Sequence, residues 1–403
     1  MTDTVVAGRP SVAHNPFTSL TPQAPDALLG LITLFRQDAR PTKIDLGVGV
    51  FRTDEGATPV MRSVKAAEEI LLRDQTTKAY LGAEGDVAYS ELLVQIVFGP
   101  DHAGSDHITG VQTPGGTGAL RLGAELLKRT KPDATVWIGA PTWPNHAPIF
   151  QEAGLRVSSH RFYDVPSASI NFDAMLEDVE QAVAGDILLL HGCCHNPTGA
   201  TLTPSQWHVI ADLCERKGLI PFIDLAYQGL GDGLEQDAAA TREIFSALPS
   251  ALIAYSCDKN FGLYRERVGA LWVQSPTPAS TLLVRGNVLS LARSLWSMPP
   301  DHGAAIVRTI LEDAALRADW VAELSSMRDR INSLRSAVSA SHPALAFIGQ
   351  QRGMFAMLPI SPAAVQALRN DHAIYMAGNG RINIAGLTLG NIPTFVAGLT
   401  PHL

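Results

Sequence analysis

The chain has 403 residues, 46% of them hydrophobic and 17% charged, and its formal net charge is −8. This length favours two domains, and the composition is that of an ordinary globular protein. The chain has no basic block suited to nucleic acid, no apolar run of the roughly 18–20 residues that span a membrane, and no secretory signal pattern in its first twenty residues. We therefore expect a cytoplasmic protein that has neither nucleic acid nor membrane as a partner. The cysteines (Cys193, Cys194, Cys214 and Cys257) have no zinc-like spacing and are expected to be reduced thiols.

The N-terminal quarter contains few regular elements. Residues 1–25 are rich in Thr, Pro, Ala and Ser and are expected to form an extended arm. Leu and Ile at helical spacing predict a helix over 26–36, and a second helix is predicted over 63–73. Between them, residues 43–51 predict a short strand that runs into a glycine turn.

The middle of the chain alternates between strands and helices. Strands are predicted over 108–112, 135–138, 186–190, 219–223 and 252–256, and helices over 119–129 and 204–217. Apolar strands without alternation, separated by helices, are typical of an α/β fold whose mainly parallel sheet is covered by helices on both faces. In such a sheet, ligands bind at the carboxyl ends of the strands.

Beyond Pro299-Pro300 the pattern is almost continuously helical over 303–339, with one long helix near 318–337. Short strands are predicted near 347, 353–358 and 381–384. We therefore expect an arm over 1–25, a large domain over 58–317, and a smaller α+β domain that combines 26–57 with 318–403.

Two sequence features favour an anion site. The segment Gly115-Gly116-Thr117-Gly118 precedes a predicted helix, and a helix N-terminus offers free N–H groups to an anion. A glycine turn in this position is more often only structural. Ser256 and Arg267 add phosphate-binding side chains, since the planar guanidinium group donates two bonds at once.

Two loops offer groups that suit an aromatic ring. Trp143, in a proline-rich loop, packs on apolar neighbours in the usual case, but it also suits stacking on a flat ring. Asn196 precedes a proline, which holds it extended, and its amide can donate to a phenolate oxygen. The His and Cys residues within 191–195 suggest a metal at first sight, but they lie too close together in sequence for a normal ligand set, so we expect no metal.

Three ionisable residues complete the pattern. Asp224 follows the apolar strand 219–223 and would be a natural partner for a protonated pyridine nitrogen, while Tyr227 can reach a hydroxyl group of the same ring. Lys259 follows the apolar run 251–255, where burial of a charged amine is unfavourable unless it is neutralised, paired or bonded. A covalent imine with an aldehyde cofactor removes that penalty. Together these features predict a pyridoxal phosphate site.

From about residue 26 to its C-terminus, the chain resembles the fold-type I, pyridoxal-phosphate-dependent aminotransferases, and among them the aspartate and aromatic amino acid aminotransferase group. The resemblance rests on segments 43–50, 76–82, 113–121, 143–146, 191–199, 224–229, 259–269 and 379–383. It implies a large domain with a mainly parallel, seven-stranded sheet, and a homodimer with shared active sites.

The resemblance also implies roles for individual residues. Lys259 would form the Schiff base with the cofactor and act in catalysis with Asp224 and Tyr227. The other implied cofactor-binding residues are Gly116, Thr117, Trp143, Asn196, Ser256, Arg267 and the neighbouring subunit's copy of Tyr80. The implied substrate-binding residues are Gly49, Trp143, Asn196, Phe355, Arg381 and the neighbouring subunit's copy of Arg293.

The implied reaction is a ping-pong transfer of the amino group of aspartate, of aromatic amino acids (Tyr, Phe, Trp), or of both, to 2-oxoglutarate. Arg293 suits a second substrate carboxylate, whereas Leu295, Trp296 and Phe355 suit a wall for an aromatic ring, so we predict the use of both substrate classes. Another reaction on the same cofactor, β-elimination or decarboxylation, is an alternative that the fold leaves open. A non-catalytic regulator is a remote alternative, since the short arm is insufficiently basic for a DNA-binding segment.

Two positions depart from the pattern of the family. Serine is common at the position of Asp258, where it usually contacts the cofactor phosphate. A carboxylate beside a dianion is repulsive, so Asp258 must point away, be protonated or weaken cofactor binding, and we predict weaker cofactor retention. Phe51 stands where tyrosine is frequent, which removes a hydroxyl group near the substrate entrance.

Overall fold

The structure is a computed structural model that describes residues 15–22, 27–99 and 105–403. Its helices are α1 (Ala27–Gln37), α2 (Arg62–Asp74), α3 (Val87–Val97), α4 (Gly115–Thr130), α5 (His146–Glu152), α6 (Phe172–Val179), α7 (Pro204–Lys217), α8 (Leu234–Ala247), α9 (Pro278–Leu295), α10 (Asp301–Glu312), α11 (Ala314–Ser341), α12 (Pro362–His372) and α13 (Ile392–Leu399). Its strands are β1 (Ile44–Asp45), β2 (Ile108–Pro114), β3 (Thr135–Gly139), β4 (Arg156–His160), β5 (Tyr163–Asp164), β6 (Ser169–Ile170), β7 (Ile187–His191), β8 (Ile220–Leu225), β9 (Ala251–Ser256), β10 (Val268–Gln274), β11 (Phe355–Met357), β12 (Ile374–Tyr375) and β13 (Arg381–Asn383). Short 3-10 helices cover Pro16–Ser19, Pro343–Gln350, Ile384–Gly386 and Thr400–His402.

A seven-stranded sheet forms the centre of the fold. Its strand order is β2-β10-β9-β8-β7-β3-β4, and every neighbouring pair is parallel except those made by β10, which is antiparallel to β2 and β9. β9 is buried along its whole length and β7 along all but its last residue, as expected for strands covered on both faces. The predicted α/β fold is confirmed.

Helix α7 shows how local sequence signals set the ends of an element. The Thr203 hydroxyl group accepts a hydrogen bond from the Gln206 N–H, and the Gln206 side chain accepts one from the Thr203 N–H, which is a capping box. Pro204 occupies the first turn, and Gly218 ends the helix at a φ of 65°. The helix covers 204–217 as predicted and returns the chain from the end of β7 to the start of the parallel strand β8, so both strands end at the same edge of the sheet.

One small sheet joins an early segment of the chain to its C-terminal part, and a second lies within the C-terminal part. β1 pairs in parallel with β12, and β11 pairs in antiparallel fashion with β13. The Asn383 N–H donates to the Leu46 carbonyl at 2.8 Å, which brings the segment after β1 beside the strand that begins at Arg381. The domain boundaries expected from the sequence stay a prediction.

One local prediction is wrong, and two others are confirmed with narrower limits. The short strand predicted within 43–51 is β1, and the backbone of the glycine turn after it bonds to a side chain: the Asn383 amide donates to the carbonyls of Val48 and Val50. A 3-10 helix replaces the strand expected near 347. The almost continuously helical stretch predicted over 303–339 is confirmed: it consists of α10 and the long helix α11, which meet at Asp313, whose carboxylate caps α11.

Much of the predicted arm, residues 1–14 and 23–25, lies outside the described residues, and its described part contains the 3-10 helix Pro16–Ser19. Within the described ranges, no helix combines the length and apolar character that crossing a bilayer requires. The cytoplasmic location stays a prediction.

Candidate active site

A cavity of about 280 Å³ lies at the carboxyl ends of β7, β8 and β9. Every site residue predicted from the sequence lines it except Tyr80 and Arg293. The predicted residues that line the cavity are Gly49, Gly116, Thr117, Trp143, Asn196, Asp224, Tyr227, Ser256, Lys259, Arg267, Phe355 and Arg381. Segments that are more than 300 residues apart in the chain therefore meet in one site.

One end of the cavity is the N-terminus of α4. The helix begins at Gly115, four residues before its predicted start, so that Gly116 and Thr117 lie in its first turn, where backbone N–H groups have no partner within the helix. Ser256 faces this turn, and a Cβ added to Gly116 would lie 3.2 Å from its Cβ. Glycine therefore leaves space for an anion between the helix and β9.

Arg267 reaches the same helix end and is paired with Asp258. Its Nη1 donates to Asp258 Oδ2 and, at 3.3 Å, to the Tyr264 carbonyl. The other carboxylate oxygen, Oδ1, accepts from the Val268 N–H at 3.2 Å. Asp258 is buried, and it turns toward the anion site rather than away from it.

Lys259 lies in the turn that follows β9. Its Nζ is 5.4 Å from the centroid of the Tyr227 ring. Burial lowers the pKa of Lys259, the Asp258 and Asp224 carboxylates oppose that change, and Arg267 adds to it. A lowered pKa increases the fraction of unprotonated amine, which is the form that reacts with an aldehyde or removes a proton.

Asp224 is held by a buried hydrogen-bond chain. His146 Nε2 lies 2.9 Å from Asp224 Oδ2, and His146 Nδ1 lies 2.8 Å from the Thr142 hydroxyl group. Burial by itself would raise the pKa of Asp224, but the hydrogen bond and charge of His146, together with the charges of His191 and Lys259, outweigh burial, and the pKa is lowered. The site therefore keeps this carboxylate ionised, as a protonated ring nitrogen would require.

His191 lies beside Asp224, because β7 and β8 pair these two residues directly. Its ring centroid is 5.1 Å from that of His146 and 4.2 Å from that of His195. Burial lowers the pKa of His191 to about 3, so the ring is neutral at physiological pH.

Two groups of side chains in the described part of the chain have the composition of a metal site. Each has potential ligand atoms within 4.8 Å of one another: His146, His191 and Asp224 in one, and Cys193, Cys194 and Asp237 in the other. In both groups the carboxylate is already bonded, in the first to His146 and in the second to three backbone N–H groups, those of Gly229, Gly231 and Asp232. All four cysteines are free and buried.

Polar and aromatic groups surround the middle of the cavity. Burial raises the pKa of the Tyr227 hydroxyl group, which is neutral at physiological pH. Asn196 Oδ1 is buried and has no hydrogen-bond partner among the described residues, which is the situation of a polar group that awaits a ligand. The Trp143 ring also lines the cavity, and it meets the His146 ring edge-on at 5.3 Å.

Arg381 forms the other end of the cavity. Its Nη2 donates to the Gly47 carbonyl at 2.9 Å, and its guanidinium carbon lies 4.7 Å from the centroid of the Phe355 ring. Burial lowers its pKa, and its buried Nε has no partner among the described residues. Gly49 makes the arrangement possible, because a Cβ there would lie only 2.6 Å from Phe355 Cζ.

Tyr80 and Arg293 lie outside the cavity of their own chain. The Tyr80 side chain is 93% exposed, and Arg293 is exposed near the end of α9, where it donates to the Ser297 hydroxyl group at 2.8 Å. Leu295 and Trp296, expected to help form an apolar wall, do not line the cavity either, whereas Phe355 does.

No role was predicted from the sequence for some residues that support the site. Thr142 belongs to the Trp143 loop and His146 begins the helix after it, but the bond of His146 to Asp224 joins residues 78 positions apart and leaves no local signal. The sequence gives only an indirect indication of His146, because a buried carboxylate such as Asp224 requires a hydrogen-bond donor. The pairing of Asp258 with Arg267 depends in the same way on two segments that meet only after folding.

The fold and this site define a pyridoxal-phosphate type of enzyme, and comparison with known proteins identifies the family. The chain belongs to the aminotransferases of class I and II, whose family model matches residues 41–399. It is therefore a transaminase. The predictions of family and enzyme class are confirmed, as is pyridoxal phosphate as the cofactor of this family.

Individual relatives place it more closely, within the aspartate and aromatic amino acid group. It is 52% identical over 375 residues to the tyrosine aminotransferase of Rhizobium meliloti (strain 1021), which covers 92% of this chain and 96% of the relative. It is 41% identical over 384 residues to the aspartate aminotransferase of Salmonella typhi, with 93% and 97% covered. The solved structure of an aromatic-amino-acid aminotransferase from Burkholderia pseudomallei, described as covalently bound to pyridoxal phosphate, matches with a TM-score of 0.93 at 36% identity and covers 96% and 99% of the two chains.

Proposed function

We propose that this protein transfers the amino group of aspartate and of aromatic amino acids to 2-oxoglutarate, with pyridoxal phosphate in the cavity described above. The observation that carries the proposal is that Lys259, Asp224 and Arg381 line one cavity. These are an amine with a lowered pKa, a carboxylate for a ring nitrogen, and a guanidinium group for a carboxylate. The similarity to tyrosine and aspartate aminotransferases supports both substrate classes.

The residues of the cavity fit this cofactor. The N-terminus of α4 with Ser256 and Arg267 suits its phosphate group, and Tyr227 and Asn196 suit its ring oxygen. Trp143 offers a flat surface to its ring. When bound, the cofactor supplies an aldehyde and an electron-withdrawing ring.

Lys259 has two tasks in this proposal. Its unprotonated amine reacts with the aldehyde, and it later holds and returns the proton taken from the substrate Cα. Both tasks need the neutral amine, so the pKa lowering caused by burial increases the reactive fraction at neutral pH.

Asp224 keeps the ring nitrogen protonated, and His146 keeps Asp224 in place. The 2.9 Å bond between them fixes one carboxylate oxygen and leaves the other for the ring. In metal sites, partners that support a ligand in this way change metal affinity or activity by about 10–100-fold when they are removed, and we expect an effect on activity of similar size here.

Arg381 binds the substrate α-carboxylate. The bond to the Gly47 carbonyl and the contact with the Phe355 ring hold its guanidinium group, so less side-chain freedom is lost when a carboxylate binds. Two parallel bonds to the carboxylate orient the Cα–H bond for Lys259.

We also infer that two chains form a homodimer with shared sites. The exposed Tyr80 would contact the phosphate in the partner's site, and the exposed Arg293 would receive the second carboxylate of a dicarboxylate. Leu282 and Leu283, on the same helix as Arg293, are 72% and 70% exposed, which favours a covered surface in the assembled protein.

The absorbance spectrum of the purified protein tests the chemistry. We expect a cofactor band that disappears on addition of aspartate or tyrosine and returns on addition of 2-oxoglutarate. Lys259→Ala should abolish this cycle, whereas Lys65→Ala, a change of an exposed lysine on α2, should leave it intact. Consumption of the amino acid without recovery by 2-oxoglutarate would instead indicate a lyase or decarboxylase.

Steady-state kinetics test the substrate range. We expect usable kcat/KM for aspartate, phenylalanine and tyrosine, and a much larger loss with aspartate than with phenylalanine in Arg293→Ala. Arg285→Ala, on the exposed side of the same helix, is the matched control. Activity with aspartate alone would contradict the dual range.

A further inference from the structure

The phosphate end of the cavity contains a carboxylate that the proposed reaction does not use. Asp258 is buried and lies against Arg267, the arginine expected to bind the cofactor phosphate. Both of its oxygens accept hydrogen bonds, one from Arg267 and the other from the Val268 N–H at 3.2 Å. The fold therefore holds this negative charge at a defined position.

That position is the anion site itself. A Cβ added to Gly115, the first residue of α4, would lie 2.5 Å from Arg267 Nη2 and 3.3 Å from Asp258 Oδ2. The arginine and the carboxylate thus meet at a helix N-terminus, where free N–H groups and the helix dipole favour an anion. The carboxylate of Asp258 already supplies a negative group at this position.

The same groups must serve an incoming phosphate. Arg267 Nη1 is bonded to Asp258 and to the Tyr264 carbonyl, which leaves Nη2 and Nε for another ligand. A phosphate dianion therefore either shares the guanidinium group with a neighbouring carboxylate, at a repulsive distance, or displaces that carboxylate into an environment where it loses its partner.

We propose that Asp258 is an internal competitor for the cofactor phosphate: it occupies Arg267 when phosphate is absent and selectively lowers the affinity of the site for phosphate groups. The inference rests on the proposed pyridoxal phosphate site. The charge of Asp258 also opposes the lowering of the Lys259 pKa, so a ligand that carries the aldehyde but no phosphate is needed to measure the effect on the amine separately.

The experiment compares ligands that differ only in phosphate. The apoenzyme, Asp258→Ser and Asp258→Asn are titrated with pyridoxal phosphate, with pyridoxal and with inorganic phosphate, and binding is followed by absorbance or calorimetry. In both variants we expect pyridoxal phosphate and inorganic phosphate to bind roughly tenfold more tightly, about 1.4 kcal/mol, and pyridoxal to bind within about twofold of the wild-type value.

Two outcomes would overturn the inference. Unchanged or weaker phosphate binding in both variants would show that Asp258 does not compete. Equal changes for pyridoxal and pyridoxal phosphate would show that it only supports the local structure. Asp258→Asn keeps the shape of the side chain, so a folding defect confined to Asp258→Ser leaves the comparison intact.

Two controls separate this inference from the proposed function. Asp186→Asn removes another buried carboxylate paired with a basic residue, Lys131, just before β7 and thus at the opposite edge of the sheet, and it should leave all three affinities unchanged. If pyridoxal phosphate forms no Lys259-dependent absorbance band in the wild-type protein, the proposed function fails. If the band forms but the preference for phosphate is the same in all variants, only the role of Asp258 fails.

Discussion

The buried histidines beside the site predict a measurable sensitivity to acid, and His160 allows the clearest test. His160 is the last residue of β4, is 2% exposed, and neither ring nitrogen has a partner among the described residues. Burial lowers its pKa from the ordinary 6.5 to about 4, although the charge of Asp178 opposes this change. The perturbation is His160→Phe, which keeps a ring of similar shape and removes the titration.

The magnitude follows from the two pKa values. Between pH 6.5 and pH 4, the unfolded chain binds a proton at this position and the folded chain does not, so the free energy of unfolding rises with pH. The stabilisation is complete above about pH 6.5 and decreases as the pH falls toward 4. The difference between 6.5 and about 4, at about 1.4 kcal/mol for each pKa unit, corresponds to roughly 3 kcal/mol for this one residue.

The assay is urea unfolding of the holoprotein at fixed protein concentration between pH 7 and pH 4.5, with linear extrapolation to zero denaturant. His160→Phe should lose less stability than the wild-type protein on acidification, by roughly 2–3 kcal/mol over this range. His191 titrates in the same direction, so the variant keeps some acid sensitivity. Parallel curves for His160→Phe and the wild-type protein would refute the reasoning.

Three further predictions concern the active site. In His146→Asn, Asp224 loses the group that contributes most to offsetting its burial, so its pKa should rise, the acid limb of the pH profile of kcat/KM should move to higher pH, and activity should fall roughly tenfold; an unmoved acid limb would contradict this. In Gly49→Ala, the added Cβ would come within 2.6 Å of Phe355 Cζ, so the ring must shift, and we expect a higher KM for amino acids and a loss of roughly 1–3 kcal/mol in stability by thermal unfolding. Arg381→Lys removes the planar two-point contact with the substrate carboxylate. We expect kcat/KM to fall by roughly a hundredfold or more for aspartate and tyrosine alike, while cofactor affinity, measured by titration, stays the same. A loss with aspartate alone would place Arg381 at the second carboxylate instead.

Much of the site could be predicted because its residues follow recognisable elements. The carboxyl ends of parallel strands meet at one edge of a sheet, so Asp224 after one apolar run and Lys259 after another had to lie near each other once the fold class was known. The anion-binding position of the glycines at the start of α4 could be predicted in the same way, although the helix begins earlier than its apolar spacing suggests.

Other features escaped prediction because they depend on contacts between distant segments. The short strand predicted within 43–51 is β1, but composition does not show the contact that holds the backbone after it, the bonds from the Asn383 amide to the carbonyls of Val48 and Val50. The support of Arg381 by the Gly47 carbonyl and the Phe355 ring joins three segments in the same way. Neither the contacts of the Asn383 amide nor those of Arg381 can be predicted from composition and spacing.

The sequence by itself determined the order of strands and helices, the family, and the residue types at the ends of the central strands, because hydrophobic periodicity and short motifs are local properties of the chain. The tertiary structure decided how those residues act on one another. His146, with His191 and Lys259, outweighs the effect of burial on the pKa of Asp224, and Asp258 turns toward Arg267 rather than away from the anion site. Both results depend on distances of a few ångströms between charged groups in a buried site, and such distances exist only after the chain has folded.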